Sequence, residues 1–511
     1  MVWREASLTG HRDGPTVARM NPALATPPSP QAPARPLRQL SDLPGPKGWP
    51  VVGNTLQVKL SQLHLDMERW LAEYGPMLKV RLGRNDLMVV SDHEINGQLF
   101  RDRPDGFRRP SQLLETVVEM GIKPGVFSAE GESWANQRRM VMASFSPTHV
   151  RAYFPALLRV TERLKKRWLQ SMGQPGGLDL QAELMRYTVD AISGLAFGKD
   201  TNTLESDDDV IQQHLDKIFP ALWRRTNAVI PYWRYFKLPV DRELDRSVKF
   251  VNEAIKGFVG DARERLRDPE RRAHPQNLLE GMIVAADEPG SGVNDDDVVG
   301  NVFTLLLAGE DTTATSLSWM LYLLTRNPEA LRKATEEVDR VMGLAEQAQP
   351  WTPEKMADLD YIEACANEAM RLKPVGPFHV VEALKDGVVG DVAVPKGTVI
   401  FMILRHDNLN ERCFPNAQDF RPERWLEQGA AAGAMNPKRV SMPFGAGPRV
   451  CPGRYLALLE IKMAMAMLLQ NFEIEGIDTP DGGEAQELMS FTMIPVGLKI
   501  RLKRRPAATA T

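Results

Sequence analysis

At 511 residues the chain exceeds the roughly 250–300 residues over which one hydrophobic core usually grows, so two lobes or an unusually large domain are expected. Hydrophobic residues at 43% and charged residues at 25% are ordinary for a soluble globular enzyme, and a formal net charge of -3 gives no reason to expect nucleic acid or an anionic membrane as partner. Three cysteines, Cys365, Cys413 and Cys451, cannot form a disulfide framework, which fits a reducing, cytoplasmic compartment, and no stretch offers the roughly 20 uninterrupted apolar residues of a membrane span.

Residues 1–40 are rich in Pro, Ala and Arg, with Pro27, Pro28, Pro30, Pro33 and Pro36 clustered. Such a tail is expected to stay disordered, because it cannot bury enough apolar surface to offset its ordering entropy. A cleaved targeting peptide and a later start at Met20 are both open alternatives for this segment. The globular part is expected over 41–505, beginning at the rigid Leu43-Pro44-Gly45-Pro46. Leu63–Tyr74 has helical spacing, and Met77–Val90 alternates apolar residues around Gly83-Arg84-Asn85-Asp86, a hairpin signal. From Glu94 to Lys373 the patterns are mostly long and helical. Strand-like runs follow at Gly387–Ile400, with turns at Gly390-Asp391 and Pro395-Lys396-Gly397, and again at Ser490–Leu502. The expected fold is mainly α with minor antiparallel β: a small β-rich part near 45–90 and 376–402, and a larger helical part for the rest.

Ser291–Arg326 reads as one helix of roughly 33 residues, about 50 Å at 1.5 Å per residue, with Asn294 as N-cap, three aspartates (295–297) in the first turn and Pro328 as the stop. It is apolar around most of its circumference and should be buried, while Ala308-Gly309-Glu310-Asp311-Thr312-Thr313 interrupts it halfway and rejects a membrane span. Gly309 lowers helix stability by about 1 kcal/mol relative to alanine and permits close approach of a ligand. A threonine hydroxyl there can bond back to the carbonyl four residues earlier.

The most informative segment is Phe444-Gly445-Ala446-Gly447-Pro448-Arg449-Val450-Cys451-Pro452-Gly453. Its cysteine ends a glycine-rich loop, and an apolar helix over Tyr455–Leu469 follows with proline near its first turn. A thiolate there is expected to face free amides and the positive end of the helix dipole, which lower its pKa and keep it ionised. The glycines before it let backbone approach a flat ligand, and Gly453 lets the helix pack against one. Such a site suits a thiolate ligand to haem iron. A buried structural cysteine is the plainer alternative. Phe444, Gly447, Arg449, Cys451 and Gly453 nevertheless match all five fixed positions of Phe-x-x-Gly-x-Arg-x-Cys-x-Gly. With them the chain resembles the cytochrome P450 monooxygenases over about residues 40 to 500, and looks like a soluble, bacterial-type member.

The resemblance implies the cytochrome P450 fold with its long central helix over haem b, and Cys451 as the iron ligand. Ala308 and Gly309 would lie against the haem, Asp311 would gate protons and Thr312 would hold the hydrogen bonds of oxygen activation; a buried relay is needed because an apolar pocket offers no bulk water. Glu368 and Arg371, three apart on one helix face, match the family's Glu-x-x-Arg pair and would join Arg424 of Pro422-Glu423-Arg424-Trp425 in a buried charge network. Trp134 and Arg138, four apart, resemble the family's haem-propionate contact, which Arg449 would share. A further arginine or histidine is common in the family where Val381 stands, so that contact is absent here or supplied elsewhere, by His379.

Pocket walls would come from 107–126, 215–235, 303–313 and 378–381, enclosing an apolar small molecule and dioxygen. Arg108 and Arg109 would either clamp a substrate carboxylate at the entrance or simply be solvated. Arg138, Arg139, Lys438, Arg439 and Arg454 suit an acidic redox partner. Electrons are expected from a separate ferredoxin and ferredoxin reductase, since no flavin or ferredoxin motif follows Cys451. A peroxide-driven or isomerising haem-thiolate enzyme and a haem-based gas sensor are the rival readings. The intact Asp311-Thr312 pair argues against the first, and nothing resembling an output domain supports the second.

Overall fold

Helices dominate wherever apolar residues recur at helical spacing, and strands gather where that spacing gives way to short alternating runs. The structure, a computed structural model, describes residues 36–506 except 84, 146, 174, 199–201, 206–209, 229, 345–348 and 427–434. Residues 1–35 of the proline-rich tail, Met20 included, lie outside the described residues. The expected boundary at residue 40 falls too late. Arg38–Gln39 is already a strand, β1, pairing in parallel with Val392 and Ala393, and Arg38 forms a 2.6 Å ion pair with Asp391.

The other strands are β2 (Met77–Leu82), β3 (Asn85–Val90), β4 (Phe107–Arg108), β5 (Leu178–Asp179), β6 (Phe378–Ala383), β7 (Gly387–Val389), β8 (Val392–Val394), β9 (Val399–Ile403), β10 (Phe472–Asp478), β11 (Glu487–Ser490), β12 (Thr492–Pro495) and β13 (Lys499–Arg504). The largest sheet runs β2-β3-β9-β6-β4, so the β-rich part reaches beyond residue 90 to include β4. The hairpins expected at Gly83 and Gly390 are present, and both glycines turn the chain at φ +61°. Two pairings are parallel rather than antiparallel, β3 with β9 and β1 with β8. Parallel neighbours need a long crossover, which the helical stretch between Val90 and Val399 provides. The remaining sheets are β1-β8-β7, β10-β13-β5 and the β11-β12 hairpin.

The central helix spans Asp295–Arg326 and starts as expected. The Asn294 side chain accepts from the Asp297 N–H at 3.1 Å and the Asp297 carboxylate accepts from the Asn294 N–H at 2.9 Å. Its hydroxyls turn inward on the helix: Thr304 donates to Gly300 O at 2.8 Å, Thr312 to Ala308 O at 2.6 Å and Ser318 to Ala314 O at 2.9 Å. Glycines let neighbours close on it. A Cβ on Gly300 would sit 2.7 Å from the carbonyls of Lys123 and Pro124, and one on Gly125 only 2.3 Å from Gly300 O. Gly309 faces the helix Leu180–Phe197, where a Cβ would meet Ile192 at 2.9 Å. Its role is helix–helix contact, not the close approach of a ligand.

On the helix Asp360–Leu372, Glu368 and Arg371 are fully buried and meet as expected. Arg371 donates to both Glu368 oxygens at 2.9 and 2.7 Å, and Arg424 donates to Glu368 at 2.9 Å. Trp425 Nε1 adds a fourth bond at 2.9 Å, and Arg371 also donates to Ala417 O at 2.7 Å and Asp419 O at 3.0 Å. One carboxylate therefore neutralises two guanidiniums while the loop carbonyls fill their remaining donors. Glu368→Ala is expected to lower the unfolding free energy by about 3–5 kcal/mol in urea titration, because it strands two buried cations. A loss below about 1 kcal/mol would show that solvent reaches them.

Candidate active site

Cys451 is held from both sides in the chain. Its N–H donates to Phe444 O at 2.9 Å, closing the loop, and the helix Arg454–Asn471 begins three residues later with Gly453 as N-cap. Pro452 lies just before that N-cap, near the first turn as expected. Gly447 has φ +69° and a Cβ there would fall 2.4 Å from Phe100 O, so this glycine admits the helix His93–Arg101, not a flat ligand. Gly453 is under no such constraint; a Cβ would make ordinary contacts of 3.9 Å with Cys451 Sγ and Phe145.

The three thiols differ sharply in surroundings. Burial and the acids Glu337, Glu423 and Glu368 push Cys365 well up, and burial with Asp407 and Asp92 pushes Cys413 up to about 11. Cys451 is exposed, yet enough protein surrounds it to push its pKa up as well. The expectation of a lowered pKa is thus corrected, since desolvation outweighs the local donors. Those donors are nonetheless found around Cys451: the Gly453 N–H, Arg138 and Arg454 all favour the thiolate. Arg138 also donates to Val450 O at 2.7 Å, gripping the peptide just before the cysteine.

Beyond Cys451 lies a set of cations with too few anions. Arg449 stacks on buried Trp134, its guanidinium carbon 4.4 Å from the ring centre, and pairs with Glu130. Its Nε and Nη1 are buried without hydrogen-bond partners, as are Nε and Nη2 of buried Arg103. Burial lowers the Arg449 pKa to about 10, and Arg103 and Arg138 add repulsion. Arg109 is also lowered, by burial and then by Arg103 and Arg449. Burial with Arg109 and Arg103 depresses His379 to about 3. Val381 is fully buried in the apolar core, and His379, two residues earlier on β6, meets this cluster instead. Arg103 was not singled out from sequence, where it is one of four charged residues in Arg101-Asp102-Arg103-Pro104-Asp105 and nothing local marks it.

The central helix leaves one stripe uncovered. Ala308 is exposed and Thr304, Asp311 and Thr312 are half-buried, all at helical spacing, while Val302, Phe303 and Leu305–Leu307 are buried. Burial pushes the Asp311 carboxyl up, and hydrogen bonds from Thr492 and Thr315 pull it down. Asp311 and Thr312 do not bond to each other. Aromatic rings cluster beside the residue that bonds Asp311, Thr492: Phe491 lies 5.7 Å from Phe127 and 5.4 Å from Phe219, and Trp223 lies 6.2 Å from Phe378. Phe127 and Phe491 fall outside the expected wall segments. Arg108 donates to Glu382 at 2.6 Å across β4 and β6, and Arg109 donates to Phe127 O at 2.6 Å. Neither is a solvated entrance charge.

These donors fit haem. A cysteine in cationic surroundings suits the iron, and guanidinium atoms lacking partners suit the two carboxylates of the macrocycle. A second grouping, His93, Asp407 and Cys413, brings ligand-type atoms within 4.8 Å. There Asp407 is already occupied by the His93 ring at 2.8 Å and the His93 N–H at 2.9 Å, which tie down the start of that helix.

Comparison with known proteins gives the family. The Cytochrome P450 family model matches residues 43–502. The chain is 29% identical over 489 residues to "Cytochrome P450 97B2, chloroplastic" of Glycine max, covering 87% of this chain and 83% of that protein. It is 28% identical to "Self-sufficient cytochrome P450 monooxygenase CYP505U2" of Exserohilum turcicum (strain 28A), covering 93% of this chain but spanning only 43% of that relative's length. The crystal structure of the cytochrome P450DA heme domain superposes with a TM-score of 0.78 at 24% identity, covering 92% of this chain and 99% of that one. The two relatives are a plant and a fungal protein, so the bacterial reading finds no support in them. No helix among the described residues is long and apolar enough to cross a membrane. Matched from its first turn-rich residues to its last strand, the chain belongs to the cytochrome P450 family and is a haem b monooxygenase.

Proposed function

We propose that Cys451 supplies the axial thiolate, and that Arg103, Arg109, Arg449 and His379 hold the haem propionates. The observation that carries this reading is one thiol in cationic surroundings beside buried guanidinium atoms without partners. When bound, haem supplies the reductive activation of dioxygen, placing one oxygen atom in the substrate and releasing the other as water. The protein's residues do the rest. Trp134 orients Arg449, Arg138 fixes the peptide before Cys451, and Phe444 and Gly447 shape the loop. Asp311, raised by burial, is suited to hold and release a proton, and the Thr312 hydroxyl shares its helix stripe with Ala308 as a second polar group.

The substrate in this reading is an uncharged apolar small molecule. Phe127, Phe219, Phe491 and Phe378 supply apolar walls, while Arg108 is committed to Glu382 and Arg109 belongs to the proposed propionate cluster with Arg103 and Arg449, which leaves neither for a substrate carboxylate. Electrons would arrive from a separate acidic ferredoxin and its reductase. Exposed Arg139, Lys438 and Arg439, with Arg454 stacked on exposed Tyr455, support docking on the thiolate side. Three unpaired cysteines support a reducing compartment.

Three outcomes test this reading. Cys451→His should abolish the red-shifted band of the reduced, carbon-monoxide-bound protein, while Cys365→Ser and Cys413→Ser keep it; the reverse pattern sinks the ligand assignment. Arg103→Leu should act with opposite signs on the two forms. Without haem it raises the melting temperature, because a buried unpaired cation is gone, and with haem it speeds haem transfer to apomyoglobin by about tenfold or more, the worth of a charge-assisted bond. Equal haem retention would remove Arg103 from the propionate site. Thr312→Ala should leave haem content intact but raise hydrogen peroxide formed per electron consumed, and an unchanged ratio would end its proton-delivery role.

A further inference from the structure

The Asp311 carboxylate is held by one donor from its own helix and one from outside it. Its Oδ2 accepts a hydrogen bond from the Thr492 hydroxyl, and its Oδ1 accepts one from Thr315 at 3.3 Å. Thr315 is fixed in turn by Gln181 Nε2 at 3.1 Å, whose Oε1 accepts from Ser318 at 2.8 Å. Thr492 opens β12 directly after Phe491, the single residue between the paired Ser490 and Thr492. Phe491 has φ +79°, a left-handed backbone that a bulky side chain rarely adopts. Such conformations persist only where surrounding structure forces them, and they gather at functional sites. Here the Phe491 ring, a wall of the proposed substrate pocket, packs beside Phe127 and Phe219. The base of the hairpin is fixed: the Met493 N–H donates to Val375 O at 2.8 Å, and Trp319 Nε1 donates to Met493 O at 2.9 Å. One strained turn therefore joins a pocket wall to the acid.

We infer that Thr492 is a positioning residue for Asp311, and that the Phe491 turn lets the filling of the aromatic pocket change how firmly Thr492 holds that carboxylate. The inference rests on Asp311 being the acid of proton delivery. Thr492 steadies the charged, resting form of the carboxylate and aims one oxygen at the hairpin. An apolar molecule against Phe491 moves the turn, loosens that bond and leaves the carboxyl readier to take and pass a proton. Charges facing Asp311 are few. Burial and the two threonines govern it, Gln181 approaches from the helix Leu180–Phe197, and Glu310 and Glu460, whose carboxyl meets Thr313 from the helix after Cys451, lie on other faces of the central helix.

The test is the pH profile of oxygen consumption by the haem-loaded full chain, driven by a surrogate ferredoxin and its reductase. Removing a donor from a carboxylate raises its pKa, so Thr492→Val should move the alkaline limb, where the proton-donating form is lost, upward by about half a unit to one unit, and Thr492→Ser should restore it. Asp311→Asn should erase the limb, and Thr492→Val should then add nothing. If Asp311→Asn keeps the limb, the reading of Asp311 itself fails. If Asp311→Asn erases it but Thr492→Val leaves it in place at full haem content, only the positioning role is overturned. Saturating naphthalene, a flat apolar probe, should shift the limb upward in the native chain and not in Phe491→Ala. A shift in both, or in neither, overturns the link through the turn.

Discussion

A helix of 32 residues buried on nearly every side must satisfy its polar side chains without water, and much of this structure follows from how it does so. Thr304, Thr312, Ser316 and Ser318 each bond back to a carbonyl of the same helix, so hydroxyls can sit in the interior at little cost. Glycines at 300 and 309 bring a loop and a second helix into contact with it. What remains uncovered is the stripe through Thr304, Ala308, Asp311 and Thr312, and that stripe gives the site its distal face. Asp311 finds only Thr315 within the helix, so its second partner, Thr492, comes from a hairpin far along the chain.

Opposite in character is the crowd of cations around Arg449. Arg103, Arg109 and Arg449 repel one another and share Glu130 as their named acid. In a sealed interior such an arrangement is costly unless an anionic ligand completes it. Glu368 shows the other solution within the same protein: one carboxylate fully engaged by two guanidiniums and an indole, with no ligand required. The contrast separates a binding site from a structural one more clearly than burial does.

The parts legible in the sequence were those set by local rules. The Asn294 cap, the hairpins at Gly83 and Gly390, and the cysteine loop before a helix all depend on neighbours within a few residues. Glu368, Arg371 and Arg424 were placed together by family resemblance, but Trp425 was missed because its indole reaches the carboxylate only once the loop has folded. Arg103, Phe491 and Thr492 escaped for the same reason; their meaning lies in contacts with residues distant along the chain. Gly309 and Gly447 were misread, since a glycine pattern does not say whether backbone or ligand comes close. The Cys451 thiol was expected to be acidic from its donors alone, a judgement that left out burial.

The contact between Gly125 and Gly300 carries a consequence for substrate breadth. With carbonyls and α-carbons pressed together there, the loop that goes on to Phe127 is riveted to the central helix, and the Val126 N–H to Asn301 bond at 2.9 Å adds a second rivet. Any side chain added at Gly125 or Gly300 would have to break that contact, so change on this side of the proposed pocket falls to residues beyond the junction.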